Sequence, residues 1–537
     1  MTTTDTITDL YQQLRQALYD GQIGEADVLL KNCQHLAPDA ADTWHYAGLL
    51  AVCQQDLEAA QRLFLIALEK DDTQPAYHNH FANTCRARQE IDKAIDHYER
   101  AIALDAKFSE PHNNLANIYY RQGEMDKALQ YYQQAIEIDP HYQDALMNYG
   151  YALLKQEDHA GARSQFLQVL TGMPEERIAM KMHYALGQIA LTLDENEAAV
   201  THYQSALELL PQYLDARREL IQALLRLEQD KLALKHLNVT LMQDPDFVDD
   251  HYNAGVVLLK LNQLNDALYH FREVMRLDEN HVETLANLGA LALRQGRLKS
   301  AQEHYEKLLK IQPENDIAAY TLTALTQSDN PEKPPLAYVQ QLFDSYAEQY
   351  DEHMQEQLDY QVPELLEKQL SEQLPNAKNL LNVLDLGCGT GLLAETLKPY
   401  AKHLTGVDIS AAMLTKAQEK QHYDELVQYD IVEFLKQTAQ SFDLMCAGDV
   451  LNYLGDLAPI FSAARARMSP EGLLCFTIEA GSTAAYQLAQ SGRFTHDPTQ
   501  VAALAESCDW QLVQQTEVIL RLQRGQAVPG VLFFFKG

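Results

Sequence analysis

The sequence lacks the features that mark several large classes of protein. Its seven cysteines are scattered, with no C-x-x-C pair, so no zinc site, iron–sulfur site or disulfide framework is expected. No apolar run is long enough to span a bilayer, and the first 18 residues do not contain the apolar core of a secretion signal. We therefore expect a soluble protein that is not bound to a membrane and lies in a reducing, cytoplasmic setting.

Basic residues are also scarce. Lysine and arginine number 42 against 76 aspartates and glutamates, which gives a net charge of −34. A field of this sign repels phosphate backbones, so the sequence predicts no nucleic-acid partner. The 537 residues are enough for two or more domains, each with its own core.

An internal repeat of 34 residues fills the N-terminal part of the chain. Four residues after a recurring alanine stands an aromatic residue or a leucine, which a helix places on the same face. In six repeats a pair of residues whose second member is small lies 13 and 12 residues upstream of the alanine. Each repeat therefore predicts two antiparallel helices in close contact. The alanines, in phase apart from one three-residue insertion, are Ala26, Ala60, Ala94, Ala128, Ala162, Ala199, Ala233, Ala267 and Ala301.

The period and the pattern resemble the tetratricopeptide repeat. Nine units run from about Ile7 to Asn315, and residues 316–327 are expected to form a helix that caps the array. The insertion near residues 175–179 is expected to lengthen the loop between two units.

Four asparagines suggest a binding surface on the array. Asn79 and Asn83 are four residues apart, and Asn113 and Asn117 repeat this spacing one unit later. Each amide carries a donor and an acceptor, so the four could hold an extended peptide in the groove of a solenoid. We therefore predict a protein or peptide partner there. Five of the first helices end in a basic residue. These residues could contact a ligand, or they could be there only because the helix dipole favours cations at a C-terminus. They are Arg121, Lys155, Arg226, Lys260 and Arg294.

The stretch from Leu380 to Leu397 is the most informative of the chain. An apolar run predicts a buried strand that ends in the turn Gly387-Cys388-Gly389-Thr390-Gly391, after which a helix begins. A dinucleotide site would have the spacing G-x-G-x-x-G, whereas here it is G-x-G-x-G with Asp385 two residues before the first glycine. An acid at that place repels a pyrophosphate but suits an ammonium group and a sulfonium.

This stretch resembles motif I of class I S-adenosylmethionine-dependent methyltransferases. The resemblance implies a seven-stranded, doubly wound Rossmann-like α/β domain over residues 338–537, with S-adenosylmethionine as cofactor. Residues 328–337 are then a proline-rich linker, and residues 1–327 form the helical array. The last two strands are expected to form a hairpin whose turn holds Pro529 and Gly530. Residues 491–496 and 520–530 make the chain most similar to bacterial methyltransferases that contain tetratricopeptide repeats.

The resemblance also implies which residues hold the cofactor. Asp385 faces its amino-acid end, the three glycines shape the turn, and Asp408 accepts hydrogen bonds from the ribose. Met413 packs on the adenine, Asp430 receives the adenine amino group, and the loop with Asp449 lies beside the methyl donor. The complete predicted set is Asp385, Gly387, Cys388, Gly389, Gly391, Asp408, Ile409, Met413, Asp430, Ile431 and Asp449.

A helix before the domain is expected to cover this site. Phe343, Tyr346, Ala347 and Tyr350 are at helical spacing, which by itself indicates only an amphipathic helix packed on a core. In the methyltransferases that the chain resembles, a helix at this place folds over the cofactor, so Tyr346 and Tyr350 are predicted lid residues.

Absent motifs narrow the chemistry. No N/D-P-P-Y/F/W motif follows the fourth strand, and no acidic double-glutamate loop is found. No radical-type cysteine cluster is expected either, since Cys446 and Cys475 are predicted to lie far apart. In-line transfer of a methyl group to an oxygen, a nitrogen or a carboxylate remains, and such transfer depends on orientation and desolvation more than on a strong base. No catalytic base is assigned. His496 and Tyr350 are candidates that have structural explanations as well.

The sequence thus predicts a methyltransferase whose repeats recruit a protein or peptide substrate. Two alternatives stay open. One is a small-molecule methyltransferase that its repeats dock into a larger assembly, and the other is an interaction scaffold without catalysis. The acceptor and the oligomeric state are not predicted.

Overall fold

The computed structural model describes residues 3–523 and 525–537. The chain divides into two compact units, of which one ends at Asn262 and the other begins at Gln263. The last repeats therefore belong to the same unit as the sheet, whereas the sequence pattern places a domain boundary after residue 327. Within the described residues, no helix is both long and apolar enough to cross a membrane.

The first unit is made of helices that pack on their neighbours along the chain. Their bounds are α1 Thr3–Tyr19, α2 Ile23–Leu36, α3 Ala41–Cys53, α4 Leu57–Lys70, α5 Pro75–Ala87, α6 Ile91–Leu104, α7 Ser109–Gln122, α8 Met125–Ile138, α9 Gln143–Lys155, α10 His159–Thr171, α11 Glu176–Thr192, α12 Asn196–Leu209, α13 Leu214–Arg226, α14 Asp230–Gln243 and α15 Val248–Lys260.

The recurring alanines explain this packing. All nine are 0% exposed, and the aromatic residue or leucine four residues after each is buried too. The small residues on the first helices lie against these side chains. A Cβ added at Gly48 would be 2.6 Å from the Phe64 ring, and one at Gly150 would be 2.5 Å from the Phe166 ring. The predicted pairs of closely packed helices are therefore confirmed, but the insertion extends α11 instead of lengthening a loop.

The second unit begins with four more helices, α16 Leu264–Leu277, α17 Val282–Arg294, α18 Leu298–Ile311 and α19 Asp316–Thr326. The last of these is the predicted capping helix. It begins where the side chain of Asn315 accepts a hydrogen bond from the Ala318 amide at 3.0 Å, which satisfies one of the free amides of the first turn.

A seven-stranded sheet follows, as the sequence predicts. The strands are β1 Leu381–Leu386, β2 Ala401–Asp408, β3 Glu425–Gln428, β4 Phe442–Ala447, β5 Met468–Glu479, β8 Gln511–Gln523 and β9 Gln526–Lys536, and a separate pair is β6 Tyr486–Leu488 and β7 Phe494–His496. The order across the sheet is β3-β2-β1-β4-β5-β9-β8. Strands β1 to β5 pair in parallel, and β9 runs antiparallel to both β5 and β8.

Eight helices lie before and between the strands: α20 Leu336–Asp344, α21 Tyr350–Glu352, α22 Val362–Gln373, α23 Ala394–Leu397, α24 Ala411–Lys420, α25 Ile431–Gln437, α26 Ala458–Arg465 and α27 Pro498–Ser507. Successive strand residues alternate between two cores. Leu384 and Leu386 belong to one core and Val383 to the other.

Two details of the sequence-based prediction are wrong. Pro529 and Gly530 lie inside β9, paired with Ile519 and Val518 of β8, and the last pair before the turn is Gln523 with Gln526. Cys446 and Cys475 are partners on β4 and β5, with their sulfur atoms 2.8 Å apart, although 29 residues separate them in the chain.

Candidate active site

A cavity opens where the parallel strands end. The turn after β1, the end of β2 and the loops after β3 and β4 all contribute to it, as expected for the carboxyl edge of a parallel sheet. Nine of the predicted residues line it: Tyr350, Gly387, Gly389, Asp408, Ile409, Met413, Asp430, Ile431 and Asp449.

The glycine turn has the conformation that the sequence implies. Gly387, Gly389 and Gly391 have φ values of +67°, +53° and +84°, in the left-handed region that disfavours other residues. A Cβ at Gly387 would be 2.6 Å from Val450, whereas one at Gly389 would meet no atom within 4 Å because it would enter the cavity. The turn therefore leaves room for a ligand against its backbone. The helix after it is shorter than expected and spans only Ala394–Leu397.

Asp408 ties the end of β2 to this turn. Its Oδ2 accepts a hydrogen bond from the Gly389 amide at 2.9 Å, and its Oδ1 accepts one from the Ser410 amide at 2.9 Å. Burial raises the pKa of this carboxyl, against the effect of the two amides. A carboxylate fixed at the cavity wall can accept hydrogen bonds from a sugar diol.

The far end of the cavity combines apolar side chains with one acid. Ile409, Met413 and Ile431 line it beside Asp430. The Asp430 carboxylate caps α25, since its Oδ1 accepts hydrogen bonds from the amides of Val432 and Glu433 at 3.0 Å. Such a surface fits a flat, partly polar ring.

Asp385, Cys388 and Gly391 do not line the cavity. The Asp385 carboxyl is 1% exposed and accepts a hydrogen bond from the Tyr423 hydroxyl at 2.6 Å. Burial raises its pKa to about 7, although the Tyr423 hydroxyl opposes this. Asp385 is thus held by a tyrosine 38 residues away in the chain, and its predicted contact with the amino-acid end of a cofactor would need this pair to rearrange.

Asp449 is joined to residues to which the sequence analysis assigned no role in the site. Its Oδ1 accepts a hydrogen bond from the Asn452 amide at 2.9 Å and contacts the guanidinium of Arg521. Arg521 is 1% exposed and also contacts Glu479, which forms an ion pair with Arg493 at 3.1 Å. Arg493 and Arg521 lie within residues 491–496 and 520–530, which carry the resemblance, but no local motif pairs either of them with Asp449.

The segment predicted to be a lid, which we call the lid, is not one helix. α20 ends at Asp344, and short turns follow, namely Ala347–Gln349, Tyr350–Glu352 and His353–Gln357. The side chain of Tyr350 lines the cavity, whereas Tyr346 packs on Tyr350, with 5.3 Å between the ring centroids.

Polar contacts hold the lid on the helix that follows β2. The Ser410 hydroxyl donates to Asp344 at 2.5 Å, Lys416 pairs with Glu348 at 2.8 Å, and Lys420 pairs with Asp351 at 2.5 Å. The Thr390 hydroxyl in the glycine turn also donates to Asp351. The lid is thus attached to both sides of the Asp408 site.

The segment predicted as a linker is bound to the sheet domain. The Asn330 side chain hydrogen-bonds both Tyr486 and Leu488 of β6, at 2.9 and 2.7 Å. Just before it, the Tyr320 hydroxyl of α19 donates to the Gly492 carbonyl at 2.9 Å. Lys333, Pro334 and Leu336 then line the cavity, so the chain between α19 and α20 forms part of the cavity wall.

The candidate bases differ in position. His496 is 1% exposed, its Nε2 lies 3.1 Å from the Gly455 carbonyl, and it does not line the cavity. Burial lowers its pKa. Tyr350 does line the cavity, but burial and the nearby Asp449 carboxylate raise its pKa, which opposes its use as a base.

The predicted peptide groove needs a correction. Asn79 and Asn113 are buried, at 0% and 4% exposure, and their oxygens accept hydrogen bonds from Asn114 and Asn148 of the next unit. They join repeats instead of facing a groove. Asn83 and Asn117 are half-buried, and their oxygens accept hydrogen bonds from Tyr98 and Tyr132, at 2.5 and 2.6 Å, which leaves their amide nitrogens for a ligand.

Comparison with protein families identifies both kinds of domain. Residues 384–474 match a family described as a methyltransferase domain. Residues 109–142, 184–246 and 258–325 match families described as tetratricopeptide repeats, and residues 82–123 match one described as a TPR repeat.

The chain is also similar to curated proteins that are named as methyltransferases. A ubiquinone biosynthesis O-methyltransferase of Coxiella burnetii is 30% identical over 141 residues, which are 24% of this chain and 60% of the relative. The corresponding protein of Histophilus somni is 31% identical over 26% of this chain and 66% of the relative. A trans-aconitate 2-methyltransferase of Paracidovorax citrulli is 38% identical over 96 residues, which are 17% of this chain and 36% of the relative. The chain spans about three-fifths of the length of the relatives it matches first. The chain therefore combines tetratricopeptide repeats with a methyltransferase domain of the S-adenosylmethionine-dependent type.

Proposed function

We propose that this protein transfers a methyl group from S-adenosylmethionine to a protein or peptide that its repeats recruit. The observation that carries the first half of this proposal is the position of Asp408, at the cavity wall and hydrogen-bonded to Gly389 of the glycine turn. An acid at the end of the second strand, beside an open glycine backbone, suits a nucleoside with a free diol.

The residues that line the cavity fit the nucleoside part of this cofactor. Ile409, Met413 and Ile431 offer an apolar surface to an adenine, and Asp408 offers oxygens to a ribose. When bound, S-adenosylmethionine supplies a methyl group on a positively charged sulfur. The chain's part is to hold the acceptor in line with that group and to exclude water, and the lid with Tyr350 and Phe343 covers the cavity for this purpose.

The recruitment of a protein or peptide rests on the repeats and on how they end. Repeat solenoids commonly bind extended partners, and α19 continues into the segment that forms the cavity wall. A substrate held near the last repeats would be at high effective concentration beside the cavity. In the first unit, the amide nitrogens of Asn83 and Asn117 and the exposed cations Arg121 and Lys155 are the groups that we propose for contact with a ligand.

A second candidate function is methylation of a small molecule. The relatives are named for ubiquinone biosynthesis and for trans-aconitate, which are small-molecule roles. In that case the repeats would dock the enzyme into an assembly and would not present its substrate.

One experiment separates these functions. The full chain is incubated with S-adenosylmethionine labelled in its methyl group and a cell extract, and macromolecules are then separated from small molecules. Label on a protein supports the proposal, label on small molecules alone favours the second candidate, and bound cofactor without any transfer favours a scaffold. The Asp408→Ala chain is the control for cofactor dependence.

A variant tests the part played by the repeats. Arg121→Glu with Lys155→Glu reverses two exposed charges without touching the buried contacts between helices. We expect labelling of the protein target to fall while cofactor affinity stays constant. Lys31→Glu, which reverses a side chain that is 69% exposed on α2, is the matched control.

A further inference from the structure

A lysine lines the cavity beside the loop that follows β4. Among the described residues of the cavity wall, Lys333 is the one lysine or arginine. Within the same part of the chain, no acid pairs with its ammonium group. The side chain is exposed, so it carries a positive charge at neutral pH. A cation without a partner at the wall of a cavity attracts an anionic group of the molecule that enters.

The backbone next to Lys333 is held in place. The Glu332 carbonyl accepts hydrogen bonds from the amides of Gly455 and Asp456, at 2.8 and 3.0 Å. Just before it, the Asn330 side chain is hydrogen-bonded to β6. These contacts attach the segment to the loop after β4, so the place at which the lysine enters the cavity is set by the fold.

The acids of the cavity wall have other partners. Asp408 and Asp430 lie at the end of the cavity that we propose for the nucleoside, and each accepts hydrogen bonds from two backbone amides. The charge of Asp449 is used in an ion pair with the buried Arg521. None of these carboxylates is left over to take a proton from an acceptor.

The other side chains of the wall do not supply a base either. No histidine is found among the described residues that line the cavity. Burial raises the pKa of Tyr350 and of Tyr453, so their hydroxyls stay protonated. The Tyr429 hydroxyl donates a hydrogen bond to Gln437 at 2.9 Å. An alcohol or an ammonium group, which must lose a proton, would find no partner for it here, whereas a carboxylate is already ionised at neutral pH.

We propose that the methyl acceptor is a carboxylate of the recruited protein or peptide, that Lys333 binds this carboxylate at the cavity, and that the product is a methyl ester. This inference deepens the proposed function and rests on it. A carboxylate oxygen forms the bond to the methyl carbon, the bond from that carbon to sulfur breaks, and its electron pair stays on the sulfur. No proton moves, and an anion and a sulfonium become a neutral ester and a neutral thioether.

The stability of the product in alkali tests the class of acceptor. The full chain is incubated with S-adenosylmethionine labelled in its methyl group and a cell extract, and the protein fraction is then treated with mild alkali in a closed vessel. A methyl ester hydrolyses and releases volatile labelled methanol, whereas a methyl group on a nitrogen or an ether oxygen stays on the protein. We expect most of the label to be released as methanol.

Variants test the part played by Lys333. Lys333→Gln should reduce the rate of ester formation about tenfold, the loss expected when a hydrogen bond to a charged group is removed, and Lys333→Arg should restore most of that rate. Calorimetric affinity for S-adenosylmethionine should be equal in all three chains, because the lysine meets the acceptor and not the cofactor. Lys378→Gln removes an exposed lysine just before β1, at the opposite edge of the sheet, and should change neither quantity.

Each other outcome contradicts a stated part of this inference. Label that stays on the protein in alkali would overturn the carboxylate acceptor and leave the proposed function intact. An unchanged rate in Lys333→Gln, or an equal loss of cofactor affinity, would overturn the role of Lys333. Labelled methanol from small molecules alone would overturn the placement of the acid on a protein, and a parent chain that transfers no label would overturn the proposed function as well.

Discussion

The Gly389 amide donates a hydrogen bond of 2.9 Å to Oδ2 of Asp408. This contact joins the turn after the first strand to the end of the second, so the two predicted parts of the cofactor site form one rigid corner. A ligand that enters the cavity meets a carboxylate whose position is already set, which reduces the ordering that binding requires.

The first prediction concerns Gly389. Its φ is +53° and a Cβ there would point into open space, so Gly389→Ala should destabilise the fold by only about 1 kcal/mol while the added methyl group obstructs the cofactor. Gly123→Ala is the matched control, because Gly123 also has a positive φ of +82° and no atom within 4 Å of its Cβ position. Thermal unfolding should change equally in both variants, and titration should show weaker cofactor binding in Gly389→Ala alone. Equal cofactor affinity in the two would place the site elsewhere.

The second prediction concerns the lid. Lys416 and Lys420 pair with Glu348 and Asp351 of the lid. Since these pairs are exposed to solvent, each should add little to the free energy of unfolding. Replacing both lysines by alanine should nevertheless accelerate cofactor dissociation in stopped-flow measurements, and high salt should do the same to the parent. Lys436→Ala, which breaks a pair within α25, is the control. An unchanged dissociation rate would show that the lid is not held by these pairs.

The third prediction concerns pH and the repeats. His45 and His80 are hydrogen-bonded to each other at 2.7 Å, and burial lowers their pKa values to about 3 and about 4. The folded chain therefore keeps both rings neutral, whereas the unfolded chain takes up protons below a pKa of 6.5. The two histidines therefore do not reduce the free energy of unfolding above pH 6.5. Below that pH the free energy of unfolding decreases, by about 2 kcal/mol for each histidine at pH 5.

Denaturant unfolding at pH 7 and pH 5 measures this difference. Between pH 7 and pH 5, the free energy of unfolding of the His80→Leu chain should decrease less than that of the parent, because one titrating group has been removed. His141→Leu, at an exposed position, should behave as the parent does. A parent whose stability is the same at both pH values would contradict this account.

The fourth prediction concerns the segment before the sheet domain. A chain that begins at Gln263 keeps α19, Tyr320 and Asn330, whereas a chain that begins at Pro334 loses their contacts with Gly492 and β6. Loss of the buried Tyr320 ring should destabilise the shorter chain by about 3 kcal/mol or more. Calorimetric unfolding of the two chains checks this. Equal midpoints would mean that residues 328–337 act only as a linker.

Local patterns in the sequence predicted the parts of the structure that depend on nearby residues. The 34-residue spacing of the alanines and the glycine turn are such patterns, because helix packing and strand-to-turn geometry are set within a few residues. The sequence could not predict contacts between distant residues, such as Arg521 with Asp449, 72 residues apart, or Tyr320 with Gly492, 172 residues apart. These contacts depend on how distant segments meet.

The same reasoning explains the wrong predictions. Asn79 has the spacing of a groove residue, but helices of the neighbouring unit bury it. Asp385 stands where the motif requires an acid, but Tyr423, in the loop between α24 and β3, donates a hydrogen bond to its carboxylate. In each case a partner from outside the motif decides what the side chain contacts.

The most direct measurement is calorimetric titration of the full chain and of Asp408→Ala with S-adenosylmethionine. The account predicts one molecule bound per parent chain and an affinity at least about tenfold weaker in the variant, because a buried carboxylate that accepts two hydrogen bonds contributes about that much. Asp443→Asn, at the far end of β4, should bind as the parent does. A parent chain that does not bind the cofactor, or an Asp408→Ala chain that binds it as tightly as the parent, would contradict the account.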